Sequence, residues 1–587
     1  MLTFPPQKTS PMRLTLPFIT LVTVLLLWGC KPEPAAPFDV VALVGADPQD
    51  LHPTNARTAV AFQVLDFMHE RLIELNKFDN TPAPNLASEI SKSADGLTYT
   101  YTLHPAAKWP DGKPMTPEDV IFSYKVMACP LVNNLNQKGY LESLATIDTD
   151  PADSRKVIFR MKTPYQLNDY IANLGYIIDE RVYDSAQVLR AYPISDFLSK
   201  PDSFQADSVL ATWAAAFNDP ANGTELSRLS RTCGPYRLAV WTAGEEVVLE
   251  KQPGYWGNDL PDAPGLKGPA QIRFKVLKDD KAVELALVNG EIDVATSLTT
   301  EAYRGLEAND SAKSRLNLVI QARSTVAYMA LNNNPVSLKA KPVFTDARVR
   351  KAIALAMPMD SIISQFLYGM AVRANSPIPP HHPDYHSGLK PVPYQPEQAR
   401  TLLEEAGWQD SDRDGVFDKV INGKKESLRF TLLYPAGQQS IANLAERVKE
   451  SLAAIGVECN PEPAQNIAQR LRAHDFDAAF TAFGSPNLPF EFKQNWHSSN
   501  WPNGDNFIGY RNPVVDSLID ISRVEMDLTR RKQLTDQIQQ LIADDQPVVF
   551  FYTPFEKIAY SRRFGTAKLY QFRPYIYLNE LELSPAK

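Results

Sequence analysis

The chain has 587 residues, 44% apolar and 22% charged, so it can bury large cores and is neither a disordered tail nor a collagen-like repeat. Lys and Arg total 60 against 68 Asp and Glu, a net charge of −8, which argues against a generally basic nucleic-acid binder. Proline is plentiful at 47 and glycine sparse at 26, so rigid connections are expected and glycine-rich phosphate loops are not.

Residues 1–29 carry Lys8 and Arg13, no acid, and an apolar run from Leu14 to Trp28. A basic start, a short apolar stretch and a small residue before the cut describe a secretory signal. The run contains Pro17 and is short for a bilayer core of about 30 Å. Met12 is an alternative start. The ending Leu27-Trp28-Gly29-Cys30 resembles a bacterial lipobox, with Cys30 the lipidated first residue of the processed chain, although Trp28 departs from the small residue usual there. A plain signal peptide and an uncleaved anchor are the alternatives. Residues 30–37 are rich in proline and read as an extended tether.

Beyond the tether, Leu97 to Leu103 alternates with period two and predicts a half-buried strand, as do Val157, Phe159 and Met161. Residues 234–241 and 247–250, around a turn at Gly244, predict a hairpin. A short helix is expected over 281–289, with Ala282, Leu285 and Ala286 on one face and Gly290 as its stop. Asp346 can cap a helix burying Val349, Ala352, Ile353 and Ala356. Pro396 starts another, with Ala399, Leu402, Leu403 and Ala406 at helical spacing. Residues 440–455 and 528–544 are amphipathic helices, and Pro547 to Tyr552 is a buried strand. Helices and strands thus alternate through 280–550, which favours α/β layers. The Pro- and His-rich stretch 373–395 reads as a surface loop.

Catalytic signatures are missing: there is no phosphate loop, His-Glu-x-x-His, Gly-x-Ser-x-Gly or Cys-x-x-Cys, and no nucleophile–base–orienter set. An enzyme is therefore not expected, and no cofactor. His381, His382 and His386 are near enough in sequence for a transition metal but sit among prolines without a cysteine, so a solvated loop is the reading. Asp410, Asp412, Asp414 and Asp418 occupy oxygen-ligand positions of a calcium loop. Position 12 of that loop is Ile421 rather than Glu, which favours a plain Asp/Gly turn over a metal site. In an oxidising compartment Cys129 and Cys233 can pair, leaving Cys459 over.

Several segments carry a resemblance: Asp95 to Leu103, Lys108 to Ser123, Cys233-Gly-Pro-Tyr236, Pro253-Gly-Tyr-Trp256, Asn289 to Asp293, Phe344 to Ala352, Ala399 to Trp408 and Tyr510 to Asp516, in that order. From about residue 38 onward the chain resembles the family 5 extracellular solute-binding proteins, the oligopeptide- and dipeptide-binding receptors of ABC importers. The resemblance implies an α/β fold of the periplasmic-binding-protein type II: two lobes joined by two hinge strands, with an extra domain in the first lobe. Carried onto this sequence, the first lobe spans 38–321 with the extra domain at about 73–145, the second lobe 322–553, and 554–587 return to the first. The hinges fall near 320–324 and 550–554.

The resemblance also implies a cleft. Its lining falls at Arg57, Thr58, Thr296, Ser297 and Arg323, and in the second lobe at Ser440, Asn466, Arg472, Phe480, Phe483 and Asn487, with Trp496 nearby. Peptide-binding relatives carry an aspartate for the ligand's ammonium where this chain has Pro486 and Asn487. Either Glu491 substitutes for it or the ligand has no free amino terminus. Arg57, Arg323 and Arg472 tilt the expectation toward an anionic ligand. The implied function is capture of a peptide or peptide-like solute by a monomer in the periplasm or at the cell surface, held to the membrane by lipid on Cys30. Delivery would be to permease subunits with separate ATPases, and nucleic acid is no partner. A metal chelate, haem or oligosaccharide is the alternative ligand; a sensory or chaperone-like binding lipoprotein and a secreted hydrolase are the alternative classes.

Overall fold

The computed structural model describes residues 38–585 apart from 135–137, 230, 261–267, 335–341, 422, 485–488 and 566. The expected signal, the tether with Cys30, and Asn487 lie outside the described residues. Among those described, no helix is long and apolar enough to cross a membrane.

The architecture follows from a mixed sheet of 12 strands. One half holds Asp39–Val44 between parallel neighbours Gln271–Val276 and Val294–Ala295, and continues outward through the hairpin Glu246–Lys251 and Tyr236–Thr242. The other half runs Thr325–Leu331, Ala478–Gly484, Arg429–Pro435, Glu458–Ala464. A single long strand, Val548–Ser561, belongs to both. Its first residues pair antiparallel with Thr325–Leu331, and residues 555–561 pair with Leu316–Ala322.

The strand expected to stop at Tyr552 therefore runs nine residues further, to Ser561. Thr553-Pro554 reads as a breaker, yet Pro554 sits where the partner strand changes. Its missing N–H costs no ladder bond there, and its carbonyl accepts the Arg323 N–H at 3.1 Å.

Helices pack on the sheet much as their patterns dictate. Asp279 accepts the Ala282 N–H at 2.9 Å to cap Asp280–Asn289, and Gly290 closes it at φ +80°, a conformation glycine adopts without strain. The buried stripe of this helix is Val283, Ala286 and Leu287, so the expected face is rotated and Leu285 is exposed. Ten residues of this composition offer two apolar stripes, and docking chooses between them. Ala347–Leu355 and Pro396–Glu405 bury Val349, Ala352, Ile353, Ala399 and Leu403 in one core with Trp408 and Phe430. A second core gathers Tyr328, Trp496, Ile538 and Phe550. A separate antiparallel sheet, in the order Ala87–Lys92, Thr98–Leu103, Asp153–Met161, Leu144–Asp150, contains both strands read from alternation and extends past residue 145.

Two expectations are corrected. The stretch 373–395 is a surface loop only in its second part: Ala374, Asn375, Ser376 and Ile378 are buried, whereas Ser387, Gly388, Lys390, Pro391, Pro393, Tyr394 and Gln395 are exposed. Gln539 Oε1 accepts the Ser376 hydroxyl and the His386 N–H, and its amide donates to the Asp384 carbonyl, so one helix side chain satisfies the connector's backbone. Nor is there a disulfide between Cys129 and Cys233. Both are buried free thiols, as is Cys459. Cys129 ends the helix Pro117–Ala128, while the Cys233 sulfur accepts the Glu70 N–H at 3.3 Å and lies 3.5 Å from the Ile177 carbonyl.

Asp293 ties three segments together. It accepts the Val41 N–H at 2.9 Å and two bonds from Arg563, at 2.7 and 2.6 Å. Arg563 is partly exposed, so water can rescue its charge, but the Val41 donor cannot be rescued. Asp293→Ala is expected to cost about 2 kcal/mol, read as a lower urea midpoint at unchanged m-value; a shift under ~0.5 kcal/mol would refute the role.

Candidate functional site

Two cavities flank the long strand near its change of partner. Phe551 and Tyr552 wall one of them, and Thr296 and Ser297 wall the other, where the next residue, Leu298, donates its N–H to the Lys557 carbonyl.

The first cavity, about 630 Å³, lies beside the C-terminal end of helix Ala59–Met68 and the segment 572–579. The helix is capped by Thr58, whose hydroxyl accepts the Ala61 N–H and donates to the Pro48 carbonyl. Its far end delivers His69-Glu70-Arg71 to the cavity wall. Glu70 accepts from the Tyr255 hydroxyl at 2.6 Å and from the Asn85 amide at 2.7 Å. Burial pushes its carboxyl up to about 7, against those two bonds. Arg71 pairs with Asp66 at 2.7 Å and lies over the Tyr176 ring. Lys77 pairs with Glu580 and lies over Tyr577. Charges on this wall are therefore largely matched, and Glu70 is the carboxylate held by neutral donors. Ser297 stands at φ +65°, a strained turn for a non-glycine residue at the cavity edge.

The second cavity, about 450 Å³, opens between Thr325–Leu331, Ala478–Gly484 and the starts of helices Gln439–Ala453 and Ile467–Arg472. Phe480, Phe507, Phe551 and Tyr552 line it, and Arg472 faces Asp505 at 3.7 Å.

On the long strand, Glu556 is buried with two guanidinium groups near it, Arg323 at 3.5 Å and Arg573 at 3.6 Å. Arg323 is thus engaged by the long strand.

The residues expected at a cleft are dispersed accordingly. Thr296 and Ser297 line the first cavity, and Arg472 and Phe480 the second. Phe483 stacks on Tyr328 at 4.0 Å, and Trp496 is fully buried behind it. Thr58 is spent on its cap. Arg57, Ser440 and Asn466 are exposed and line neither cavity. Glu491 does not stand free for an ammonium: it accepts from Tyr165, from Arg523 at 3.0 Å and from the Lys493 N–H. Of the arginines expected to favour an anionic ligand, Arg57 lines neither cavity, Arg323 faces Glu556 and Arg472 faces Asp505. Sequence reasoning missed Glu70, Arg71 and Arg573. A His-Glu-Arg triplet closing an apolar helix was a usable signal for the first two; Arg573 arrives by a long-range return of the chain and left none.

The aspartate loop is a self-capped turn. Asp410, Asp412 and Asp414 bring carboxylate oxygens within 4.8 Å of one another, but Asp410 accepts the N–H groups of Asp414 and Gly415. Asp412 pairs with Lys425 at 2.7 Å, and Asp418 turns away to Ser411 and Lys425. The three histidines go separate ways: His381 to Ser324, His382 to the Asp384 N–H, His386 toward Asp536.

A family model described as bacterial extracellular solute-binding proteins, family 5 Middle, matches residues 81–504. The oligopeptide-binding protein AppA of Bacillus subtilis (strain 168) is 26% identical over 483 residues, covering 81% of this chain and 79% of its own. The structure of Bacillus subtilis AppA in complex with a nonapeptide superposes with a TM-score of 0.72 at 22% identity, covering 94% of this chain and 100% of that one. NikZ from Campylobacter jejuni in complex with Ni(L-His) gives 0.69 at 19% identity, covering 90% and 95%.

Proposed function

The chain belongs to the bacterial extracellular solute-binding proteins of family 5, and from that premise we propose that it captures a peptide or peptide-like solute by closing two lobes on it and passes it to an ABC permease. Its fold is the periplasmic-binding-protein type II fold, and its family binds and transports rather than breaks bonds. The observation that carries the reading is the pair of cavities on either side of a strand shared by both halves of the sheet. A strand that changes partner at Pro554, opposite Arg323, is a natural place for one half to turn on the other, and a solute between them gains contacts only when they close. The lobe limits of 38–321 and 322–553, with 554–587 returning to the first lobe, are part of this proposal. So are export by residues 1–29, a lipid on Cys30 that holds the monomer at the membrane, and Thr296, Ser297, Arg472 and Phe480 as solute contacts.

A metal chelate is the second reading, favoured by the likeness to NikZ. Native mass spectrometry of protein purified from membranes tests both. A retained peptide mass and a diacylated Cys30 are expected, with a smaller radius of gyration by X-ray scattering when that cargo is returned to stripped protein. A metal-chelate mass selects the second reading. An unchanged scattering profile with every retained cargo overturns lobe closure.

A further inference from the structure

The second cavity, about 450 Å³, opens to solvent between two strands and two helix starts. The sequence maintains that space. Ala327 and Ala482 stand opposite each other in register on adjacent strands, and Ala468 faces the cavity from the short helix Ile467–Arg472. A larger residue at any of the three would fill part of it. The wall behind is braced, because Tyr328 stacks on Phe483 with rings 13° from parallel.

The lining is chemically one-sided. Rings of Phe480, Phe507, Phe551 and Tyr552 and the chains of Ile441 and Leu471 face the space. The charged groups of the lining, Arg472 and Asp505, face each other and are 70% and 48% exposed, which puts them at the solvent rim. Gln438, Thr481 and the tyrosine hydroxyls are the other polar groups of the lining, so a polar group pushed inside would recover few of the bonds it gives up to water, whereas a ring or branched chain displaces water from apolar walls.

Resting on the solute-binding reading above, we propose that this cavity receives a bulky apolar group of the captured solute, an aromatic or branched aliphatic side chain, and so sets the protein's ligand preference. The Arg472–Asp505 pair at the rim presents one charge of each sign to the polar backbone of the solute that stays outside.

The test is isothermal titration of the intact protein and its Ala468→Trp variant with Ala-Ala-Ala, Ala-Phe-Ala, Ala-Leu-Ala, Ala-Asp-Ala and free indole. Ala468 is exposed on a short helix, and an unchanged melting temperature establishes that the variant folds. Expected are at least tenfold tighter binding of the Phe and Leu peptides than of the Ala and Asp peptides, and saturable indole binding. Ala468→Trp should abolish the indole binding and bring the Phe and Leu peptides down to the affinity that the variant has for Ala-Ala-Ala. Equal affinity for all four peptides, or indole binding that survives Ala468→Trp, overturns the cavity assignment and leaves the solute-binding reading intact. Indole binding lost in the variant, with no peptide bound by either protein, supports the cavity and removes the peptide reading. Neither peptide nor indole binding overturns both.

Discussion

Gly234→Ala should destabilise the protein by about 3 kcal/mol or more. A Cβ at this position would lie 2.5 Å from the Met68 carbonyl carbon, 2.6 Å from the Phe67 oxygen and 2.7 Å from the His69 nitrogen. All three are backbone atoms, so no side chain can swing aside. The glycine is needed for closeness: its N–H donates to the Met68 carbonyl at 2.8 Å, tying the residue after Cys233 to the end of helix Ala59–Met68. Around it, Gln252 donates to the Thr232 and Gly234 carbonyls, and the Glu70 N–H reaches the Cys233 sulfur. Pushing the helix end away therefore shifts Glu70 and breaks several buried bonds together. Urea unfolding measures the loss. Gly45→Ala is the control, since a Cβ there meets nothing within 4 Å. Equal midpoints for the two variants would show that the close approach carries no stability.

The second large effect depends on pH. Glu70, ordinarily near 4.5, is pushed up to about 7 by burial. The folded protein then holds a proton that the unfolded chain has released, so this group's contribution to stability is complete below about pH 4.5. It declines as pH rises and is lost above about 7. A rise of that size corresponds to about 3 kcal/mol across the window. Glu70→Gln keeps an acceptor for Tyr255 and removes the titration. The stability of wild type minus that of Glu70→Gln should fall by about 3 kcal/mol between pH 4.5 and 8. Asp119, raised by burial to about 6, titrates in the same sense but is present in both proteins and cancels in the difference. A difference that stays flat across this range, by denaturant unfolding at each pH, would rule out the raised carboxyl.

Local signals in the chain were read well. The strand at Thr98–Leu103, the hairpin over 236–251 and the helices at 347–355 and 396–405 follow from alternation, turn glycines and capping residues, all contained within a few neighbours. What escaped depended on distant partners. Residues 374–378 carry no periodic pattern and look like loop, yet they are buried, with the Ser376 hydroxyl bonded to Gln539 more than 150 positions away. Arg323 looks available until the long strand brings Glu556 beside it. The choice between Leu285 and Leu287 as the inward residue is made by the surface on which the helix lands. The candidate site was legible only in part for the same reason. Thr296, Ser297, Arg472 and Phe480 came from the resemblance, whereas Arg573 and Glu580 reach the first cavity's surroundings from a tail with no local mark.

The strand that belongs to both halves has a consequence for how the molecule is made. It occupies Val548–Ser561 of a chain of 587 residues, and it stands at the middle of the sheet order. All the other strands of that sheet precede it in the chain, so a ribosome makes every one of them before either half can receive its central member. Until then both are partial sheets with an unpaired edge, open to mispairing with other chains. Joining of the two halves therefore waits until this segment has been made, and a nascent chain stalled before Val548 lacks the strand they share.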